Sequence, residues 1–260
     1  LKKVKPRAVF IVCSYGKEAE IEVCRKHNIP TIELQHGVIT PYHPGYSYPN
    51  RFNKRSFPDY FFSFGRYWEE TVALPIPKKC LFTIGYPYFD QQSSTFLDAS
   101  KQNKVLVVSQ GIVGNRLSHF AVELNNSLPQ EWELIVKLHP SEVPGWRERY
   151  TDLRNSNIAV IENDVPALYQ LMAKAKIQIG VFSTALFEGL GFGCRTYIVK
   201  LPGHEYMQPL IDQNICTLIK FPSEIDFKNI NSNREFTQRY FFAKNWQTNL
   251  DRAMTAIGIS

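Results

Sequence analysis

Short apolar runs alternate with helical patterns along most of the chain, and this alternation constrains the fold more than any other feature. Residues 9–13 (VFIVC) are continuously apolar, as expected for a strand that is buried on both faces of a sheet. Residues 17–26 then show helical periodicity, and residues 31–35 form a second short strand pattern. Two strands connected through a helix form a βαβ unit, in which the strands are parallel. The sequence therefore predicts an α/β protein.

A polar, Ser- and Gln-rich segment interrupts the alternation. We predict that this segment, residues 91–103, is a linker. Further strands are predicted at residues 59–64, 81–85, 105–108, 133–138, 158–161, 177–181 and 196–199. We therefore expect two Rossmann-like domains, at residues 1–90 and 104–230, and a C-terminal amphipathic helix within residues 231–260 that packs back on the first domain. The first domain has few strands and no initiator Met, so we expect it to be incomplete.

Composition narrows the class of protein. The 260 residues are 44% apolar and 21% charged, which is typical of globular domains, and no apolar run is long enough to span a membrane. Lys and Arg exceed Asp and Glu by 30 to 24, a surplus that suits phosphate-bearing ligands or an anionic membrane face. Five cysteines without zinc-site spacing indicate free thiols in a reducing cytosol. We expect a cytoplasmic protein that binds no nucleic acid.

The strongest local motif is Gln35-His36-Gly37, at the end of the second predicted strand. Ligands of open α/β sheets bind beyond the carboxyl ends of strands, where an imidazole can act as a general base near neutral pH. Gly37 allows a sharp turn and a close approach of substrate. His43 lies in the long aromatic loop that follows. The alternative is that His36 only hydrogen-bonds a backbone carbonyl.

A second motif is residues 109–116 (SQGIVGNR), after the first strand of the second domain. Gln110, Gly111 and Gly114 resemble a phosphate-binding turn, although the GxGxxG spacing is absent and no Walker lysine follows. We interpret the segment as a loop beside the nucleotide, and its spacing argues against a dinucleotide oxidoreductase.

Two more motifs follow later strands. His139-Pro140 lies at a strand end, where Pro140 biases His139 to extended backbone and its ring could donate a hydrogen bond to phosphate. Ser183-Thr184 begins a helix that contains Glu188, so hydroxyls and free N–H groups would form an anion site. The alternatives are a simple turn proline and an ordinary N-cap serine.

Because parallel strands end at one edge of a sheet, the motifs of the second domain should meet there, opposite His36 across a cleft. Such a cleft would hold a nucleotide-activated donor on one side and an acceptor on the other. No convincing DxD pair is present, so we expect neither a metal nor another cofactor.

In this order the motifs resemble the GT-B glycosyltransferases of bacterial surface-polysaccharide (capsule and lipopolysaccharide) synthesis. Bacterial sialyl-, polysialyl- and Kdo-transferases have a His-Pro motif and a Ser-Ser/Thr motif that hold a CMP-sugar. The CDP-glycerol glycerophosphotransferases of teichoic acid synthesis have His-Gly, His-Pro and Ser-Ser motifs.

The resemblance implies site roles by position. His36 would be the catalytic base, with Gln35, Gly37 and His43 on the acceptor side. A second set would hold the donor nucleotide, and it comprises Gln110, Gly111, Gly114, His139, Pro140, Ser183, Thr184 and Glu188.

The resemblance implies an inverting transferase that moves a sugar from a nucleotide donor to a glycan or lipid-linked glycan at the inner membrane face. Ser141 stands where the glycerophosphotransferases have Arg, and Gln35 where they have Trp, which favours a sugar transferase over a polyol-phosphate transferase. The resemblance favours a CMP-linked acidic sugar as donor. Three alternatives remain open: a CDP-glycerol-type transferase, a UDP-GlcNAc 2-epimerase-like enzyme, and a non-catalytic binding lobe.

Overall fold

The structure is a computed structural model that describes residues 3–48, 54, 56–96, 98–163, 167–230 and 239–259. The chain divides into two compact units. Unit 1 comprises Leu1–Asp90 together with Arg239–Ser260, and unit 2 comprises Gln91–Gln238. Each unit is built around a parallel sheet.

Unit 1 contains a four-stranded parallel sheet in the order β1-β2-β3-β4. Its strands are β1 (Val9–Ile11), β2 (Thr31–Leu34), β3 (Tyr60–Ser63) and β4 (Leu81–Thr83). The helices that begin in its first segment are α1 (Glu18–Lys26), α2 (Arg66–Thr71) and α3 (Pro87–Ser94). Ile32 of β2 and Phe62 of β3 are fully buried, as continuous apolar runs predict. Phe10 of β1 is exposed, so the expectation that residues 9–13 are buried on both faces was wrong.

Unit 2 contains a six-stranded parallel sheet in the order β10-β9-β8-β5-β6-β7. Its strands are β5 (Gln102–Val108), β6 (Glu133–Lys137), β7 (Ala159–Ile161), β8 (Ala175–Gly180), β9 (Arg195–Val199) and β10 (Thr217–Ile219). The helices are α4 (Gly114–Ser127), α5 (Trp146–Arg149), α6 (Thr151–Arg154), α7 (Leu168–Lys174), α8 (Thr184–Gly191) and α9 (Gln208–Asp212). Short 3₁₀ turns, including Pro140–Glu142, complete the unit.

The strand order of unit 2 changes direction between β5 and β8. The chain moves outward from β5 to β6 and β7, and then returns to place β8 on the other side of β5. This is the doubly wound order, and ligands of such sheets bind at the carboxyl ends of the two strands that flank the reversal. Unit 2 therefore has a defined switch point between β5 and β8.

The C-terminal segment belongs to unit 1. Its helix α10 comprises Trp246–Ala256. The residues that precede it, 239–243, form backbone hydrogen bonds with the first segment of unit 1. The indole Nε1 of Trp68 donates to the carbonyl of Phe241 at 2.9 Å, and the N–H of Ala243 donates to the carbonyl of Phe64 at 2.8 Å. Ala253 of α10 lies in a buried cluster with Ile32 and Phe62, so the expectation that the C-terminal helix packs on the first domain is confirmed.

That C-terminal helix is shorter than the sequence indicates. The apolar pattern predicted a mostly continuous helix over residues 232–259, but residues 242–245 are not helical and Asn245 has a φ of 61°. A left-handed residue interrupts the helical hydrogen bonds, so the prediction of one helix was wrong here. Residues 231–238 lie outside the described part.

Other differences concern short segments. The predicted linker at residues 91–103 includes the end of α3 and the start of β5. The helix predicted at residues 143–153 is divided at Tyr150 into α5 and α6. Asp164 and Pro166, predicted to begin a helix, lie outside the described residues. No helix in the described ranges has both the length and the apolarity that crossing a membrane requires.

We expect the change Gly65→Ala to detach the C-terminal segment. A Cβ atom at position 65 would lie 2.4 Å from the carbonyl oxygen of Phe241 and 2.6 Å from that of Tyr240, and both are backbone atoms that cannot rotate away. The free energy of unfolding should fall by about 3 kcal/mol, as in overpacked cores. Urea unfolding and proteolysis near residue 240 measure this effect.

Gly111→Ala is the control, because its Cβ would have no neighbour nearer than 3.6 Å. If the Gly65 variant unfolded like the parent and stayed resistant to protease, the close approach would not matter for docking.

Candidate functional site

Two loops meet at the switch point of unit 2, one after β5 and one between β8 and α8. The side-chain amide of Gln110 joins them: its Nε2 donates to the carbonyl of Phe182, and its Oε1 accepts from the N–H of Phe182 at 2.9 Å. Both ends of the Gln110 amide therefore bind backbone. The sequence predicts that Gln110 binds the nucleotide. In the structure its side chain holds the loop in position instead of directing free polar groups at a ligand.

The amino end of α8 lies at this switch point. Ser183 is the N-cap, and its hydroxyl oxygen accepts from the N–H of Ala185 at 3.3 Å. Ser183 and Thr184 are half-buried. The hydroxyl hydrogen of Ser183 remains a donor, and the partial positive charge of a helix amino end favours an anion. Ser183 is thus an ordinary cap whose position also suits phosphate.

His139 follows β6, on the other side of β5, with its ring exposed. The backbone N–H of Ser141 donates to its Nδ1 at 3.2 Å, and the Ser141 hydroxyl lies 2.7 Å from the same nitrogen. A backbone N–H can only donate, so the neutral ring carries its proton on Nε2. Because Pro140 begins the 3₁₀ turn that supplies this N–H, the His-Pro pair presents an Nε2–H donor at the carboxyl edge of the sheet.

Glu142 supports this arrangement, and the sequence reasoning missed it. Its carboxylate is 0% exposed. It accepts from the hydroxyls of Ser109 at 2.8 Å and Tyr150 at 2.7 Å, and from the N–H of His139 at 2.8 Å. Burial raises the pKa of Tyr150 to about 12, and the bond to Glu142 adds to the effect. The spacing of three residues from His139 to Glu142 is that of a capping box and could have revealed it.

The two glycines of residues 109–116 have different roles. A Cβ at Gly114 would lie 2.1 Å from the hydroxyl of Tyr150 and 2.3 Å from Oε1 of Glu142, so this glycine is needed for packing against the carboxylate. Gly111 is exposed, with no such neighbour. Of the two, Gly111 is the one that leaves room for a ligand.

Glu188 lies in the second turn of α8, where its side chain is 8% exposed. Burial raises its pKa to about 7, although a hydrogen bond from Tyr169 acts in the opposite direction. The carboxyl group is therefore partly protonated at neutral pH and can both donate and accept.

In unit 1, His36 follows β2 and is joined to a buried carboxylate. Its Nδ1 lies 3.2 Å from the hydroxyl of Tyr46, and its Nε2 lies 3.4 Å from the hydroxyl of Tyr15. The Tyr46 hydroxyl donates to Oε1 of Glu33 at 2.5 Å, and the N–H of Ser14 donates to the same oxygen at 3.1 Å. These contacts form a hydrogen-bonded chain from Glu33 through Tyr46 to His36. The sequence signal that could have revealed Glu33 is a single charged residue inside an otherwise apolar strand.

Burial acts on every group of this chain. It lowers the pKa of His36, which keeps the imidazole neutral at pH 7. It raises the pKa of Glu33 against the hydrogen bonds from Ser14 and Tyr46, and it raises the pKa of Tyr46. The neutral His36 has the protonation state that a general base requires.

The other residues predicted on the acceptor side have distinct surroundings. Gln35 is buried, and its amide donates to the carbonyl of Gly37 at 2.9 Å and accepts from the N–H of Phe64 at 2.8 Å. His43 lies beside the same aromatic rings as His36, with its ring centre 4.8 Å from that of Tyr46. Gln35 therefore holds the loop, whereas His43 belongs to the His36 cluster.

Within unit 2 the structure brings the predicted residues to one edge. His139 follows β6, residues 109–113 follow β5, and Ser183 follows β8, and these three strands are adjacent and parallel. In the described ranges no group of three or more His, Cys, Asp or Glu side chains is arranged to hold a metal ion.

No protein-family model matches the sequence, and no curated protein matches it. Solved structures do share the fold. A Staphylococcus aureus MnaA–UDP co-structure superposes with a TM-score of 0.60 at 12% identity, over 100% of this chain and 76% of that chain. A UDP-GlcNAc 2-epimerase from Neisseria meningitidis bound to UDP-GlcNAc gives a TM-score of 0.56 at 17% identity, over 99% and 77%.

The wall teichoic acid polymerase TagF, in its H548A form, gives a TM-score of 0.51 at 15% identity, over 89% of this chain and 68% of that chain. At such identities the likeness establishes the fold alone. The predicted fold class, two Rossmann-like units of the GT-B type, is confirmed.

We expect Glu142→Gln to destabilise unit 2. One of the three donors would then face an amide NH₂ group in a buried site, which costs about 2–3 kcal/mol. Urea unfolding followed through the fluorescence of the buried Trp146 measures the loss. The exposed Glu148→Gln is the control, and a loss below about 0.5 kcal/mol in the Glu142 variant would contradict the role of the carboxylate.

We expect Glu188→Gln to change how stability depends on pH. The folded pKa of about 7 exceeds the ordinary value of 4.5, so between these values the folded state holds a proton that the unfolded state releases. The free energy of unfolding therefore falls as pH rises through this range, by about 3 kcal/mol in total. The variant lacks this penalty and should be more stable than the parent at pH 8 but similar at pH 4.5.

Thermal unfolding at a series of pH values tests this, with the exposed Glu123→Gln as control. An unchanged pH dependence in the Glu188 variant would show that the carboxyl group does not titrate near neutrality.

Proposed function

We propose that the chain is a metal-independent, inverting glycosyltransferase that uses a nucleotide-activated sugar, with a CMP-linked acidic sugar as the favoured donor. The observation that carries this proposal is the arrangement at the carboxyl edge of unit 2. There the Nε2–H of His139 and the capped amino end of α8 lie on either side of the loop after β5.

This edge provides donors for a nucleotide phosphate. The Nε2–H of His139, the hydroxyl of Ser183 and the amino end of α8 all favour negative charge. They stabilise the leaving nucleotide in the way that a divalent cation does in other transferases. Gln110 and Glu142 keep these donors in place.

His36 supplies the base on the acceptor side. The acceptor hydroxyl gives its proton to Nε2 of His36, and its oxygen forms a bond to the anomeric carbon of the donor sugar. The bond from that carbon to the phosphate oxygen breaks, and the nucleotide leaves with the electron pair. Attack from the face opposite to the leaving group inverts the anomeric centre.

The preference for CMP comes from the His139-Pro140 and Ser183-Thr184 motifs and from Ser141 and Gln35, where the sequence departs from the glycerophosphotransferases. A glycan or lipid-linked glycan of a surface polysaccharide is the proposed acceptor. The formal charge of +6 suits work at an anionic inner membrane face. TagF and the UDP-GlcNAc-bound epimerase define the two competing enzyme classes.

Calorimetric titration with CMP, CDP and UDP tests the donor unit. CMP should bind most tightly of the three, and His139→Gln should weaken its binding about 10- to 100-fold, because a hydrogen bond to a charged phosphate is lost. The control is His119→Gln, an exposed histidine of unit 2 that pairs with Asp152. Equal CMP binding by parent and His139 variant would refute the assignment of His139.

Turnover tests the base. His36→Gln should abolish sugar transfer and leave the Kd for the nucleotide unchanged, whereas the exposed His27→Gln should leave both transfer and Kd unchanged. Consumption of CDP-glycerol would indicate a polyol-phosphate transferase, and formation of a 2-epimer from UDP-GlcNAc without an acceptor would indicate an epimerase. Either result would replace the proposed reaction.

A further inference from the structure

A buried carboxylate in β2 has no counter-ion among its hydrogen-bond partners in the described residues. Glu33 is 0% exposed, and its Oε1 accepts from Tyr46 and Ser14, while its Oε2 is buried without a hydrogen-bond partner. Burying a carboxylate costs several kcal/mol unless charge or hydrogen bonds compensate it. A hydrophobic residue would suit the strand better, so the carboxylate requires an explanation beyond packing.

The explanation comes from counting protons along the chain to His36. The Tyr46 hydroxyl has one hydrogen and two neighbours, Oε1 of Glu33 at 2.5 Å and Nδ1 of His36 at 3.2 Å. The backbone N–H of Ser14 can only donate, so Oε1 of Glu33 is an acceptor, and it takes the hydrogen of Tyr46 as well. The Tyr46 oxygen is then left to accept from Nδ1, which must carry the imidazole proton.

We propose that Glu33 and Tyr46 are positioning residues that hold neutral His36 in the tautomer with its proton on Nδ1 and its lone pair on Nε2. That tautomer makes Nε2 available to accept a proton from the acceptor hydroxyl. This catalytic consequence rests on the proposed function, whereas the tautomer itself does not.

The hydroxyl of Tyr15 marks where an acceptor hydroxyl would sit. It lies 3.4 Å from Nε2, the nitrogen that the chain leaves unprotonated, and Tyr15 is exposed. As Nε2 takes a proton, the imidazolium charge develops next to Tyr46, whose hydrogen is held by Glu33. The Tyr46 oxygen can therefore accept from the Nδ1–H of the imidazolium that forms during the reaction.

The direction of both hydrogen bonds depends on the acceptor oxygen at position 33. Without it, the hydroxyl of Tyr46 would be free to donate to Nδ1 of His36. The imidazole proton would then lie on Nε2, and the base would be lost. The titratable groups that flank Glu33, Tyr46 and His36 are Cys13, Tyr15 and His43.

Imidazole ¹⁵N NMR of the unliganded protein tests the tautomer directly, with His36 assigned through His36→Gln. The parent should show a protonated Nδ1 on neutral His36. In Glu33→Leu no side-chain oxygen at position 33 accepts the hydrogen of Tyr46, which can then donate to Nδ1, so the tautomer should change to Nε2–H. Tyr46→Phe should remove the preference and provides a second variant if the first one folds poorly.

Kinetics supply the second readout. Both variants should lower kcat about 10- to 100-fold, the usual loss when a partner behind a functional histidine is removed, with KM within about twofold of the parent. The control for Glu33→Leu is Glu69→Leu, at a carboxylate of unit 1 that accepts from Ser63 at 2.7 Å and Thr83 at 2.6 Å without reaching His36. Tyr48→Phe is the control for Tyr46.

A protonated Nε2 in the parent, or an unchanged tautomer in Glu33→Leu, would overturn the proposal. If the tautomer responds as expected and no sugar is transferred to any acceptor, the proposed function fails and the positioning role stands. If transfer is intact in Glu33→Leu and Tyr46→Phe, the positioning role fails and the transferase proposal stands.

Discussion

Parallel pairing of β5 with both β6 and β8 is the constraint on which the candidate donor site depends. Parallel strands end at the same edge of a sheet, so Gln110 and Phe182, which are 72 residues apart in the chain, become neighbours there. The reversal of strand order between β5 and β8 separates the loops that follow these strands. The Gln110 amide then fixes the distance between them through two hydrogen bonds to Phe182.

Buried carboxylates organise both units in the same way. Glu142 accepts from a tyrosine, a serine and the backbone of His139, and Glu33 accepts from a tyrosine and the backbone of Ser14. In each case the hydrogen bonds come from neutral donors rather than from a cation. Each carboxylate thereby orders the surroundings of a histidine, and the two histidines receive opposite proton positions.

Those opposite proton positions suit different tasks. His139 accepts a backbone N–H at Nδ1 and keeps its proton on Nε2, which suits it to donate to an anion. His36 faces a tyrosine whose hydrogen is committed to a carboxylate, which suits it to accept a proton. Two similar His motifs in the sequence thus become a donor and an acceptor, and the difference lies in their hydrogen-bond partners.

The sequence by itself determined the α/β class, most strands and the placement of His36, His139 and Ser183 beyond strand ends, because apolar periodicity and turn residues act locally. It did not reveal α3, β10, the break at Asn245 or the roles of Glu33, Tyr46 and Glu142. Only the tertiary structure decided these, because burial and hydrogen-bond partners depend on contacts between residues far apart in the chain. For the same reason, only the tertiary structure shows that the side chains of Gln35 and Gln110 hydrogen-bond to backbone groups. No spacing in the sequence indicates these bonds.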